Sequence, residues 1–70
     1  MMSQYTFRSG CRANLNRLHD DTFELVFTYP RETELENIVR TGSRELVREL
    51  MRALDSEFRF ELMANGARCY

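Results

Sequence analysis

The chain has 70 residues, of which 43% are hydrophobic and 30% are charged, and its formal net charge is -1 at pH 7. This length predicts one domain with one hydrophobic core. The near-neutral charge excludes a global attraction to nucleic acid or to an anionic membrane. The opening ten residues, MMSQYTFRSG, contain no apolar run of the signal-peptide kind, and no stretch approaches the roughly 18 apolar residues of a membrane span. We therefore expect a cytoplasmic protein.

The first part of the chain alternates between small or apolar residues and polar ones. From Gln4 to Arg17 this period of two indicates a half-buried strand, and Ser9-Gly10 is where so long a run would bend. A short helix over 12–18 is the alternative, because two leucines there are three residues apart. We favour the strand.

A second alternating run follows an acidic turn. Aspartate tolerates the backbone angles of turns, so 18–21 is predicted to reverse the chain. Residues Thr22 to Tyr29 then alternate, and Pro30 ends the strand because proline cannot donate to a ladder of hydrogen bonds. The two runs predict a β-hairpin.

The longest helical pattern runs from Thr33 to Asp55. Thr33 is its predicted N-cap, and Glu36 completes a capping box. Glycine disfavours helix interiors, so the segment is either one helix that is weak at Gly42 or two helices, the second capped by Ser43. We favour one helix. At about 100° per residue, one stripe of it carries Leu35, Val39, Leu46, Val47, Leu50, Ala53 and Leu54.

Two further strands are predicted after the helix. Phe58, Phe60 and Leu62 alternate with charged residues, which indicates a third strand. Asn65-Gly66 is a strong hairpin-turn signal, and 67–70 would form the return strand.

These elements predict an α+β fold of two layers. One main helix packs on a small, mostly antiparallel sheet, in the order ββαββ. The predicted core comprises Tyr5, Phe7, Leu25, Phe27, Phe58, Phe60 and Leu62 from the sheet, with Val39, Leu46, Leu50 and Leu54 from the helix.

Residues that could carry chemistry are few. The one histidine, His19, stands in the predicted turn, where neighbouring side chains rarely face each other across a pocket. Cys11 and Cys69 offer too few ligands at too wide a spacing for zinc, and a reducing cytoplasm disfavours a disulfide. Both are interpreted as small hydrophobic residues on strands. No glycine-rich phosphate loop is present. We expect no enzyme, cofactor or metal site.

All ten basic residues are arginine. Codon bias in a GC-rich genome explains this without a function, whereas selection for planar, bidentate donors at an interface explains it through one. Four arginines repeat every fourth residue, where like charges on a helix repel one another. These four arginines could form a binding surface, and the alternative is an ordinary solvated helix face of mixed charge. The four are Arg40, Arg44, Arg48 and Arg52.

The sequence thus favours a small non-enzymatic module for protein–protein interaction, such as a regulator or inhibitor of the phage or mobile-element type. The four arginines would bind an acidic surface of a larger protein. The alternative is a nucleic-acid-binding domain that uses the same residues, although Glu45 and Glu49 beside them disfavour a phosphate lattice. A small enzyme centred on His19 or Cys11 ranks last. We also expect a homodimer, because a chain of this size has a thin core and short edge strands can pair.

Overall fold

The computed structural model describes residues 2–64. Its four strands form one antiparallel sheet in the order β1-β2-β3-β4, and the helix packs against one face of this sheet. The α+β class is therefore confirmed, whereas the predicted order ββαββ is wrong and the observed order is ββββα. The elements are β1 (Met2–Thr6), β2 (Arg12–His19), β3 (Thr22–Thr28), a 3-10 turn (Arg31–Thr33), β4 (Ile38–Ser43) and α1 (Arg44–Ala64).

The predicted bend at Ser9-Gly10 is a complete hairpin turn between β1 and β2. The Gly10 N–H donates to the carbonyl oxygen of Phe7 at 3.0 Å. Gly10 has φ +94°, and a Cβ atom there would lie 3.1 Å from the Pro30 ring, so both the backbone and the available space favour glycine. The strand over 12–18 is confirmed, and the short helix is excluded.

The hairpin of β2 and β3 is also confirmed. Its turn lies at Asp20-Asp21, and Asp20 adopts φ +46°, a conformation that aspartate tolerates better than most residues. The register shifts between Arg17 and His19, and the Arg17 Nε–H donates to the Asp20 carbonyl oxygen at 2.9 Å. The guanidinium of Arg17 is therefore tied to the turn.

The predicted helix over 33–55 is wrong in its first half. Residues 38–43 form β4, because three β-branched side chains in this short segment favour extended backbone. Helix α1 begins directly afterwards, with the Leu46 N–H donating to Ser43 Oγ at 3.2 Å, the bond of an N-cap. The alternative of a helix capped by Ser43 thus identified the correct start of α1.

Thr33 does not cap a helix. Its hydroxyl donates to the Pro30 carbonyl oxygen at 2.7 Å and accepts from the Leu35 N–H at 3.2 Å. These bonds close the connection between β3 and β4. Glu36 lies in that connection, so the predicted capping box is also wrong.

The predicted third strand is the second half of α1. Residues 57–62 fit a period of two, but they also continue the 3.6-residue period that starts at Arg44, and no Gly or Pro interrupts the helix. The predicted turn at Asn65-Gly66 and the return strand over 67–70 lie outside the described residues. The buried face of α1 consists of Val47, Met51, Asp55 and Phe58.

The core lies between the inner face of α1 and the central strands β2 and β3. Ala13 pairs with Phe27, and Leu15 pairs with Leu25, so these four side chains project from one face of the sheet. Residues that expose no more than 5% of their surface are Cys11, Ala13, Leu15, Leu25, Phe27, Val47, Met51 and Phe58.

Part of the predicted core is wrong. Val39 is 48% exposed because it pairs with Val26 on the outer face of the sheet. Phe60 is 73% exposed because, on a helix, it points about 200° away from Phe58. Leu46 is 55% exposed in the first turn of α1. Of the other predicted core residues, Leu25, Phe27 and Phe58 are buried, and Tyr5, Phe7, Leu50, Leu54 and Leu62 are partly buried.

A buried carboxylate ties the helix to the first hairpin. Among residues 2–64, Asp55 is the one charged residue that is buried, with 6% of its surface exposed. Ser9 Oγ donates to Asp55 Oδ1 at 2.6 Å and accepts from the Cys11 N–H at 3.4 Å. Residues 46 positions apart are thereby joined.

We expect Ser9→Ala to lower the free energy of unfolding by about 1–3 kcal/mol, because it leaves the buried Asp55 carboxylate without its donor. Urea denaturation of Ser9→Ala, Asp55→Ala and the double variant measures the coupling free energy between the two side chains. A coupling of about 0.5–3 kcal/mol is expected for two residues in direct contact. Strictly additive losses would show that this hydrogen bond does not stabilise the fold.

We expect Met51→Ala to lower the free energy of unfolding by about 2–5 kcal/mol, because it removes a fully buried side chain. Phe60→Ala should stay within about 0.5 kcal/mol of the wild type, as is usual for an exposed position. Urea denaturation followed by circular dichroism compares the two. A larger loss for Phe60→Ala would restore the predicted strand over 57–62, in which Phe60 faces the core.

Candidate protein-binding surface

Three of the four predicted arginines lie along one side of α1. Arg44, Arg48 and Arg52 occupy successive turns from the first residue of the helix onward. Arg44 and Arg52 are exposed and Arg48 is half-buried. We call these three residues the arginine strip. At 1.5 Å of rise per residue, neighbouring members are displaced by about 6 Å along the helix axis.

Arg40 does not share this surface. It lies on the edge strand β4 in register with Leu25, so its side chain projects from the helix-bearing face of the sheet. Its Nη1 donates to the Val39 carbonyl oxygen at 2.8 Å. The chain changes from strand to helix between Arg40 and Arg44, and the expectation of one helical face for all four residues is therefore wrong. A binding role for Arg40 stays a prediction.

Acidic residues accompany the arginine strip. Glu45 and Glu49 line a shallow depression on the surface of α1 together with Arg48 and Arg52. Within residues 2–64, no carboxylate oxygen lies within 4.0 Å of a guanidinium nitrogen. The surface is thus a mixture of both charges whose members are solvated rather than paired.

A groove of about 180 Å³ opens beside the first turn of α1. The register of the sheet explains why five strand residues meet there. Ser3 pairs with Leu15, and Arg17 pairs with Phe23, so these side chains project from the face that carries the helix. The residues that line the groove are Ser3, Tyr5, Leu15, Arg17, Phe23 and Arg44. We call it the Arg17–Arg44 groove.

The Arg17–Arg44 groove combines an apolar floor with a basic rim. Leu15 is buried, and Tyr5 and Phe23 are half-buried, so their apolar surfaces form the base. Arg17 and Arg44 are exposed and come from different elements, β2 and α1. Because Arg44 also belongs to the arginine strip, the groove and the strip form one continuous surface.

A second groove has the opposite charge. It contains three glutamates beside aromatic and aliphatic side chains and has a volume of about 220 Å³. Burial raises the pKa of the Tyr29 phenol, and the neighbouring Cys11, Glu57 and Glu61 raise it further. The lining residues are Tyr29, Leu35, Glu36, Ile38, Glu57, Phe58 and Glu61. We call it the acidic groove.

The other residues considered for chemistry are dispersed. His19 is exposed at the end of β2, beside the Asp20-Asp21 turn. Cys11 is completely buried, and Cys69 lies outside the described residues. Across residues 2–64, no group of three His, Cys, Asp or Glu side chains is arranged to hold a metal ion. In the same range, no helix combines the length and the apolar character needed to cross a bilayer.

Sequence reasoning missed two arginines of this surface. Arg17 stands at an odd position of the alternating run, which is the side that faces the core, and this unusual placement was the available signal. Arg59 follows Arg52 by seven residues, close to two helical turns, and therefore extends the same side of α1. The predicted strand over 57–62 concealed this relation.

Comparison with protein-family models, with curated proteins and with solved structures finds no match for this chain. Its function is therefore inferred from its own side chains. These provide a row of solvated arginines, a basic groove at one end of the row and an acidic groove elsewhere on the molecule.

Proposed function

We propose that this protein is a small non-enzymatic interaction module, a regulator or inhibitor that binds an acidic surface of a larger protein. The arginine strip is the centre of the binding surface, and Arg40 lies outside it on β4. The observation that carries this proposal is the row of three guanidiniums at one-turn intervals, none of which is paired with a carboxylate within residues 2–64.

The helix presents these guanidiniums from a rigid support. Val47 and Met51, which precede Arg48 and Arg52 in the chain, expose 1% and 2% of their surfaces, so this stretch of α1 is fixed against the sheet. Guanidinium groups bind carboxylates through two parallel hydrogen bonds, which set orientation as well as attraction. Rigid, regularly spaced arginines are therefore suited to a carboxylate-bearing surface.

A protein partner fits the strip better than nucleic acid does. Glu45 and Glu49 lie in the same depression as Arg48 and Arg52. A phosphate backbone is uniformly negative and would repel both glutamates. An acidic protein surface also carries basic residues, which could face the glutamates while its carboxylates face the arginines.

We expect Arg48→Glu with Arg52→Glu to weaken partner binding at least tenfold, or roughly 1.4 kcal/mol. The partner is captured from a host lysate on the tagged wild-type protein, identified by mass spectrometry and then purified. Binding is measured by surface plasmon resonance at several salt concentrations. The loss of affinity should lie mainly in the association rate and should diminish as salt increases, because Arg52 is exposed and Arg48 is only half-buried.

The matched control is Arg8→Glu with Arg12→Glu, which changes the net charge equally at two exposed positions off the helix. Circular dichroism and melting should stay close to wild type in both double variants. An equal loss of binding affinity in both double variants would indicate a nonspecific effect of net charge. Unchanged binding by Arg48→Glu with Arg52→Glu would mean that the strip is an ordinary solvated face.

Nucleic-acid binding is the alternative that the same variants test. Fluorescence anisotropy with a random-sequence duplex and a single strand measures affinity against salt. A steep, linear decrease of log affinity with log salt, abolished by the Arg48/Arg52 double variant, would replace the protein-binding proposal with this alternative. Absence of such binding leaves the protein partner as the proposal.

We also propose that the protein forms a homodimer. In the described sheet, β1 and β4 are edge strands that each pair on one side, and Val39 adds an exposed apolar side chain to β4. Sedimentation equilibrium at micromolar concentration should give twice the 8.4 kDa chain mass. Val39→Lys should shift the equilibrium toward monomer if β4 is the pairing edge. A single 8.4 kDa species in the wild type would contradict the dimer.

A further inference from the structure

We infer that the Arg17–Arg44 groove is the anchor site for the acidic partner, and that it takes a peptide segment in which an acidic side chain neighbours a large apolar one. The inference rests on the proposed function, since it names where the partner would insert. It goes further by assigning a site, and Arg17, to which the charge pattern of the helix gives no role.

The basic rim is the first part of the argument. Arg17 Nε–H donates to the Asp20 carbonyl oxygen at 2.9 Å, which holds the guanidinium in place and leaves its two Nη groups as donors. Arg44 stands on the helix side of the groove. Neither guanidinium is paired with a carboxylate within residues 2–64, so a ligand carboxylate at this rim would supply the missing negative charge.

The floor is the second part. Tyr5 and Phe23 are half-buried and keep apolar surface open to the groove above the buried Leu15. A volume of 180 Å³ equals about six times the roughly 30 Å³ that one water molecule occupies in the liquid. This space suits one large apolar side chain, whose burial would remove water from both surfaces. A small hydrophilic anion would leave the apolar floor in contact with water.

Continuity with the arginine strip is the third part. Arg44 borders the groove, and Arg48 and Arg52 follow it along α1. A chain anchored in the groove would run directly onto the strip. The occupant is therefore a segment of an acidic protein rather than an isolated small molecule.

The first experiment uses three tetrapeptides with blocked ends. Acetyl-Glu-Phe-Glu-Phe-amide combines charge with apolar groups, the Gln-Phe-Gln-Phe form lacks the charge, and the Glu-Ala-Glu-Ala form lacks the aromatic rings. Titration into the isotope-labelled full chain is followed by proton–nitrogen NMR. We expect the first peptide to bind at least tenfold more tightly than either control. Its largest shifts should fall at Ser3, Tyr5, Arg17, Phe23 and Arg44.

The second experiment tests the rim. Arg17→Gln should weaken the Glu-Phe-Glu-Phe peptide at least tenfold, because it removes one of the two charges that face the carboxylate. Arg12→Gln is the matched control, since Arg12 is exposed on the same strand but pairs with Thr6 and Thr28 on the opposite face of the sheet. Arg12→Gln should bind the peptide as the wild type does. If Arg17→Gln fails to fold, the affinities of the three peptides for the wild-type protein test the inference.

Several outcomes would overturn the inference. These are no binding of the Glu-Phe-Glu-Phe peptide, equal affinity for all three peptides, shifts centred on another surface, or equal effects of the Arg12 and Arg17 variants. Failure here is distinguishable from failure of the proposed function. A partner that needs Arg48 and Arg52 but tolerates Arg17→Gln would sustain the proposed function without the groove. If the Glu-Phe-Glu-Phe peptide binds the groove but the captured partner binds equally well to the Arg48/Arg52 double variant, the groove would stand as a peptide site and the proposed function would fail.

Discussion

The burial of one side of α1 against β3 is the constraint on which the rest of the structure depends. Val47 and Met51 belong to the same buried cluster as Leu25 and Phe27, and a four-stranded sheet has no other layer to cover its apolar face within residues 2–64. The rotation of the helix that buries Met51 also determines where Arg48 and Arg52 point. Core packing and the orientation of the arginine strip are therefore two consequences of one contact.

The abrupt change from β4 to α1 creates the groove. Arg17, Phe23 and Gly42 lie in register across neighbouring strands, so they mark one end of the sheet. The helix begins one residue after Ser43 at this same end, without a loop that could carry it across to β1. The part of the sheet over Ser3 and the end of β2 thus stays partly uncovered, and Arg44 stands beside it.

Local patterns predicted part of the fold, and they failed where two periods fitted the same residues. The β2–β3 hairpin was predictable because its alternation is regular and its acidic turn is clear. The sequence predicts a helix over residues 38–43 because their apolar positions nearly continue the helical stripe. Ile38 was out of phase, and the β-branched residues around it favoured a strand. Residues 57–62 fit both the strand period of two and the helix period of about 3.6. They are helical because the helix buries Phe58 in the core.

The proposed binding surface was less predictable because it depends on contacts between distant segments. The spacing of Arg44, Arg48 and Arg52 placed them correctly on one side of a helix, whereas Arg17 joins them only through strand pairing and the position of α1. The near-neutral net charge also concealed how the charges are distributed. The arginine strip and the acidic groove occupy different sides of the molecule. The proposed acidic partner would therefore be attracted by one side and repelled by Glu57 and Glu61 on the other, and this charge difference would select its docking orientation before any close contact formed.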